Sequence, residues 1–182
     1  GYDSITIDQQ HGLFGYETML GTRQALGRTA VTPLVRIPWL DPTGVAKALD
    51  GGAQGIICPM VGTREEAERL VSYMRYPPEG TRSSGPTRAA LTAGADYADH
   101  ANTELVCFAM IETAEGFANL DAIAATPGLD GIYVGPSDLT LGLTGRRYRV
   151  GLDREEPEML DAIRAILDRT HRAGKRAGLH TG

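Results

Sequence analysis

The sequence predicts an α/β fold built on a parallel sheet, of the kind that closes as a (β/α)8 TIM barrel, and three observations carry that expectation. Apolar strand-like runs alternate with segments of helical period, six times over along the chain. Two of the runs deliver an acid at their carboxyl ends, Glu112 and Asp138, 26 positions apart, which is the end where such a barrel gathers its ligand-binding side chains. No G-x-G-x-x-G or G-x-x-x-x-G-K-[ST] loop follows any strand, so an open doubly wound nucleotide fold has little to rest on. Six strand-helix units cannot close a barrel of eight. Residues 1–182 are therefore expected to form a single barrel domain lacking its first and last strand units, with unpaired edges at the strands that begin at Asp3 and Arg176.

The chain opens on a strand, residues 3 to 8, followed by the polar loop Gln9-Gln10-His11-Gly12. Residues 15 to 27 have helical spacing, with Met19, Leu20 and Ala25 expected on the buried face. A second strand, Val31 to Ile37, carries Arg36 at its end, and Pro38 and Pro42 mark the loop after it. A short helix from Thr43 to Leu49 leads to Asp50, and Gly51-Gly52 to a third strand, Gly55 to Val61. Thr63-Arg-Glu-Glu66 has the form of a capping box, and Ala67, Leu70, Val71 and Met74 supply one apolar stripe behind it. YPPEGTRSSGPTR, Tyr76 to Arg88, reads as a long loop of the sort that covers a site. A strand ending at Glu112, a helix from Ala114 to Ala125 stopped by Pro127-Gly128, and a strand from Gly131 to Val134 follow. Residues 145 to 158 are charged and irregular. A helix from about Pro157 to Ala173, with Met159, Leu160, Ile163, Ile166 and Leu167 along one stripe, and a strand from Arg176 to His180 complete the series.

Composition narrows the function classes. A formal net charge of −5 and a pI near 5.4, with no Lys/Arg-rich run, argue against nucleic-acid binding. No apolar stretch approaches the ~20 residues that span a bilayer, and the N-terminus lacks the pattern of a signal peptide. A cytoplasmic protein is expected. Cys58 and Cys107 each sit within an apolar run and suit small buried hydrophobes better than a disulfide or a zinc site.

IDQQHG, LVRIPW, ICPMV, YPPEGTRSSGPTR, MIETAEGFANLDAIAATPGLDGIYVGPSDL and GLHTG together resemble the HpcH/HpaI family of class II pyruvate aldolases, from end to end of the chain. The resemblance implies a barrel of the phosphoenolpyruvate/pyruvate type, a divalent metal and a homo-oligomer, a hexamer in the family pattern. It also implies roles. Glu112 and Asp138 match the family's metal-binding carboxylates, and His11 its catalytic base. Arg36 matches the arginine that stabilises the pyruvate enolate, and Asp50 the aspartate that raises the basicity of the histidine. Ser137 and Asp138 match the positions whose backbone N–H groups hold the pyruvate carboxylate. At Met110 the chain departs from the pattern, which has a substrate-contacting Gln there.

The chemistry of such a site is coherent with the residues available. Releasing pyruvate from a 4-hydroxy-2-oxo acid leaves an electron pair to be accepted as an enolate, by a lysine Schiff base or by a chelating metal. Lys47, within a helix, and Lys175, before a strand, are badly placed for the first route. Two carboxylates suit a hard ion such as Mg2+, with Mn2+ or Co2+ as alternatives. Arg36 supplies fixed positive charge where the enolate develops, and His11 can accept the substrate hydroxyl proton.

Competing readings stay open at this level. Each acid could simply cap the helix after it, Arg36 could belong to a surface salt bridge, and Asp8 and Asp50 could be turn or cap residues, Asp8 orienting His11 locally and Asp50 reaching a site across a subunit boundary. Trp39 is expected to pack, and Arg82 and Arg88 to hold the long loop or to bind a carboxylate on the aldehyde side. His100 and His171 fall on helices with structural roles expected, and His180 ends a strand at the catalytic face. The leading reading is a metal-dependent aldolase acting on a small 2-oxo acid and an aldehyde. A citrate-lyase or malyl-CoA type of lyase and a non-catalytic fragment are the alternatives.

Overall fold

A computed structural model describes residues 1–13, 15–27 and 29–182. The chain divides into two compact units, the first made of Gly1–Cys58 with Arg69–Cys107 and the second of Pro59–Glu68 with Phe108–Gly182. Both are parallel strands linked through helices, the alternation that the sequence predicts.

In the first unit, β1 (Ser4–Asp8), α1 (Tyr16–Leu26), β2 (Thr32–Arg36), α2 (Pro42–Asp50) and β3 (Gly55–Cys58) follow in order. The three strands pair in parallel, in a register that sets Asp8 beside Arg36 and Arg36 beside Ile57. α2 has strong local reasons to begin where it does. Pro42 occupies its first turn, and the Asp41 carboxylate accepts from the N–H groups of Thr43 at 3.1 Å and Gly44 at 2.6 Å. In α1 Met19 is buried as expected, but Ala25 is exposed. Arg23 takes the inner position instead, because its Nε can reach the Gly52 carbonyl at 2.6 Å and so satisfy a backbone group that a methyl could not.

Thr63 and Glu66 close the capping box in both directions, Glu66 N–H to Thr63 Oγ1 at 3.2 Å and Thr63 N–H to Glu66 Oε2 at 3.3 Å, at the head of α3 (Arg64–Met74). The expected loop is shorter than its composition suggests, since a helix, α4 (Thr87–Ala93), already contains Arg88. α4 and α5 (Tyr97–Glu104) are too short and too poor in apolar period to register in a pattern search. β4 (Val106–Ile111) starts in the first unit, where Val106 N–H donates to Gln54 at 3.0 Å.

In the second unit β4, β5 (Gly131–Val134) and β6 (Arg176–Leu179) pair in parallel, aligning Ile111 with Val134 and Val134 with Leu179. The single helix expected over 114–125 is two, α6 (Ala114–Ala118) and α7 (Leu120–Ala124), parted at Asn119. Asn119 leaves helical geometry to donate from Nδ2 to the Gly62 carbonyl at 2.8 Å, a bond that a continuous helix would forgo. α8 (Pro136–Thr144) follows β5 directly, and the long α9 (Pro157–Arg172) buries Met159, Ala162, Ile163 and Ile166, with Leu160 and Leu167 half-buried on its flanks. The stop after α9 is Gly174 in the left-handed region, φ 73°. Cys58 and Cys107 are buried free thiols. No helix among the described residues is long and apolar enough to cross a membrane.

Candidate active site

The register of the second unit places Glu112, Gly135 and His180 one step beyond Ile111, Val134 and Leu179, at the carboxyl ends of their strands. Glu112 is only 2% exposed. A carboxylate so enclosed must be met by donors, and Oε1 accepts from the Met60 backbone N–H at 2.8 Å. Met60, the donor, has a left-handed φ of 58°, a conformation that disfavours a residue bearing a Cβ by about 1–2 kcal/mol. On its other side the carboxylate lies against Gly135. A Cβ at that position would overlap Glu112 Oε2 and come within 2.6 Å of Met110 Cε. Gly135 is thus a slot into which the acid fits. Glu112 does not cap the next helix; Thr113 does, its Oγ1 accepting from Gly116 N–H at 2.9 Å.

Ser137 and Asp138 fall in the first turn of α8 behind Pro136, both half-buried. Backbone N–H groups there have no partner within the helix, and the helix dipole favours an anion. Asp138 as an acid in that turn also meets the alternative reading of a residue that complements the helix terminus. Met110 is buried, 1% exposed, and its thioether cannot donate as a Gln amide would.

Two carboxylates are all-oxygen donors, and the slot and the Met60 N–H hold one of them in place, so the residues present fit a hard divalent cation. No group of three or more His, Cys, Asp or Glu side chains converges as a metal cage among the described residues.

In the first unit the neighbours Asp8 and Arg36 form a two-pronged pair, Nε to Oδ1 at 2.8 Å and Nη2 to Oδ2 at 2.5 Å, with Arg36 only 7% exposed. Arg36 is therefore buried, in a pair whose Asp8 side is partly open. Asp8 also accepts from the backbone N–H groups of Gln10 at 3.0 Å and His11 at 3.3 Å, so it shapes the His11 loop through the main chain. Burial alone would raise the Asp8 carboxyl. Hydrogen bonds from Arg36 and Gln10, the Arg36 charge and the His11 N–H outweigh it and hold the pKa at about 2. The His11 residue itself is exposed.

Asp50, the last residue of α2, accepts at Oδ1 from Arg82 Nη2 at 2.8 Å; its partner in the unit is a guanidinium and not an imidazole. Arg82 is 3% exposed, lies 4.4 Å from the Tyr76 ring centroid and 5.6 Å from that of Tyr97, and donates to Tyr97 Oη at 3.2 Å. It holds the long loop, as expected. Trp39 does not pack: it is 57% exposed, because Ile37 is the last inward residue after β2 and Pro38 turns the chain into an open loop ahead of Asp41. Pattern reading passed over Gly135 and Met60. A glycine directly after a strand is a signal of close approach that was available, whereas nothing in the residue Met60 announces a left-handed backbone.

A sequence profile described as HpcH/HpaI aldolase/citrate lyase matches residues 1–180. The hydroxypyruvate/pyruvate aldolase of Rhizorhabdus wittichii is 41% identical over 181 residues, spanning 100% of this chain and 71% of that protein. The 5-keto-4-deoxy-D-glucarate aldolase of Escherichia coli is 37% identical over 181 residues, spanning 98% of this chain and 69% of its own. Among solved structures, an HpcH/HpaI aldolase/citrate lyase family protein from Burkholderia cenocepacia J2315 superposes with a TM-score of 0.87 at 30% identity, over 97% of this chain and 70% of the other. The citrate synthase SbnG superposes with a TM-score of 0.84 at 32% identity, over 97% of this chain and 67% of its own.

Proposed function

We propose that this chain, which belongs to the HpcH/HpaI aldolase/citrate lyase family, is a metal-dependent aldolase that reversibly cleaves a 4-hydroxy-2-oxo acid, such as 4-hydroxy-2-oxoheptanedioate, to pyruvate and an aldehyde. The observation that carries the reading is Glu112, a buried acid pinned by the Met60 N–H and seated in the Gly135 slot. An enclosed carboxylate with so little freedom is suited to ligation. Glu112 and Asp138 would hold Mg2+, or Mn2+ or Co2+, which when bound withdraws charge from the keto and carboxylate oxygens of the pyruvate half.

The remaining roles belong to the chain's own groups. The first-turn N–H groups of Ser137 and Asp138 would receive the pyruvate carboxylate. Arg36, fixed by Asp8, would set a planar positive charge against the developing enolate oxygen. His11 would take the hydroxyl proton as the carbon–carbon bond breaks, the bonding electrons staying on the pyruvate methylene and the hydroxyl carbon leaving as the aldehyde. Asp50 is the candidate for raising the basicity of His11, in which case it must be released from Arg82 or shared with it. Met110 in place of a hydrogen-bonding side chain favours an apolar contact at that point of the substrate.

Pyruvate release from 4-hydroxy-2-oxo acids, measured with added Mg2+, Mn2+ or Co2+ and with EDTA, tests the reading. Expected is metal-dependent turnover that Glu112→Gln abolishes with its circular dichroism unchanged; turnover that survives EDTA or that substitution would overturn it. The likeness to a citrate synthase supports a second reading, a lyase acting on a citrate-like acid or a thioester. Turnover of such substrates and none of hydroxy-oxo acids would favour it. A homo-oligomer, a hexamer on the family pattern, is proposed alongside and is read by sedimentation.

A further inference from the structure

Against the buried side of α8 lies a guanidinium that the proposed reaction does not use. Arg154 belongs to the charged, irregular stretch between α8 and α9, yet its side chain is only 8% exposed. Nε donates to the Asp153 carbonyl at 3.1 Å, Nη2 to Glu156 Oε1 at 3.3 Å, and Nη1 both to the Arg149 carbonyl at 2.6 Å and to Thr140 Oγ1 at 3.2 Å. The Arg149, Asp153 and Glu156 acceptors lie in the same stretch as Arg154, and stapling that stretch needs no more than these. Thr140 lies outside it, fully buried in α8, where its Oγ1 donates to the Pro136 carbonyl at 2.7 Å. A guanidinium can only donate, so the one hydroxyl proton is committed to Pro136 and a lone pair to Arg154. A helical Thr ordinarily bonds the carbonyl one turn back with no further role. Thr144 does so, to the Thr140 carbonyl at 2.7 Å, with no guanidinium on its hydroxyl among the described residues.

The Pro136 carbonyl and the Ser137 N–H are the two ends of one planar peptide unit. A hydrogen bond to the oxygen of an amide draws electrons away from its nitrogen, so the N–H becomes a stronger donor, and bonds linked in a chain polarise one another. A cation at the head of the chain enlarges the effect. We infer that Arg154 is a positioning residue for the carboxylate of the 2-oxo acid, acting through the Thr140 hydroxyl and the Pro136 carbonyl on the Ser137 N–H. The inference rests on the aldolase reading in one respect, that the anion received in the first turn of α8 is the pyruvate carboxylate. Arg154 shares its charge with Glu156, and what it contributes passes along the hydrogen-bonded chain.

Calorimetric titration of the Mn2+-loaded protein with pyruvate tests the inference, the Mn2+ affinity of each variant being measured separately. Thr140→Val removes the hydroxyl with little change of volume, and Arg154→Met removes the charge while keeping an unbranched stem. Each should weaken pyruvate binding by about three- to tenfold while Mn2+ affinity stays within about twofold of the parent. Thr140→Ser keeps the hydroxyl without the methyl and should bind pyruvate within about twofold of the parent, a rescue that a role in packing alone would not give. The threonine pair decides the matter even where Arg154→Met loosens its loop. Parent-like pyruvate affinity in Thr140→Val would overturn the inference, as would equal losses in Thr140→Ser and Thr140→Val. A parent that binds Mn2+ and not pyruvate would refute the aldolase reading and the inference with it, so the two failures are told apart.

Discussion

Met60 and Glu112, separated by 52 residues, are joined by a backbone N–H to carboxylate bond of 2.8 Å. At the donor, Met60 has the left-handed φ that glycine normally fills. Placing a methionine there and retaining the bond means that surrounding structure imposes the turn. Met60→Gly tests this. An ordinary residue replaced by Gly loses about 0.5–1 kcal/mol to added chain entropy, but here relief of the left-handed penalty offsets it. Urea unfolding of Met60→Gly should match the parent or exceed it by up to about 1 kcal/mol, and a loss beyond 1 kcal/mol would mean that the methionine side chain is what holds the turn.

Gly135→Ala attacks the same acid from its other side. The added methyl occupies the place of Glu112 Oε2 and crowds Met110, so the carboxylate must swing out of the slot. Mn2+ affinity by calorimetry should fall by ~10–100-fold, the range for losing support around a metal ligand, with the secondary structure intact. Unchanged affinity would show that the slot does not set the position of the acid.

Asp8 carries a pH signature. Its pKa is lowered from 3.8 to about 2 in the folded chain, so the stabilisation is complete above pH ~4 and is lost as pH falls through ~2. Solvent screening reduces the full shift to about 1 kcal/mol. Asp8→Asn should therefore be less stable than the parent by about that amount at pH 7 and equal to it near pH 2, as read from urea midpoints across the range. A gap that persists at pH 2 would locate the effect in packing.

Arg36→Lys should not be conservative. The guanidinium meets both Asp8 oxygens at once, and an ammonium can satisfy one prong at a time while losing its planar fit to an enolate. Turnover is expected to drop by ~10²–10³, measured as kcat for pyruvate release, with stability nearly unchanged. A drop under about threefold would confine Arg36 to a structural pair with Asp8.

Strands and their order were readable in the sequence because each is an apolar run between turn signals, and Thr63-x-x-Glu66 announced the cap that the structure contains. The short helices α4 and α5 and the break at Asn119 were not readable. Their causes are tertiary: Asn119 is drawn out of its helix by a carbonyl 57 positions away, which no local pattern encodes. At the site, the sequence singles out Glu112, Asp138 and Arg36 as candidates, yet not that Asp8 and Arg36 are rung neighbours, since that pairing follows from strand register. Trp39 is not legible because a large aromatic residue after a strand suggests burial, while the turn at Pro38 leaves it exposed.

The two compact units are interleaved along the chain, with Pro59–Glu68 belonging to the same unit as Phe108–Gly182. Neither is a continuous stretch of sequence. A single crossover between related genes, wherever it falls, cannot exchange one unit whole, and only a hybrid with three junctions, near Cys58, Glu68 and Cys107, would do so. Chimeras made with one junction therefore join a unit assembled from two parents. A single junction between residues 60 and 112 takes the turn that supplies the Met60 N–H from one parent and the Glu112 acid from the other.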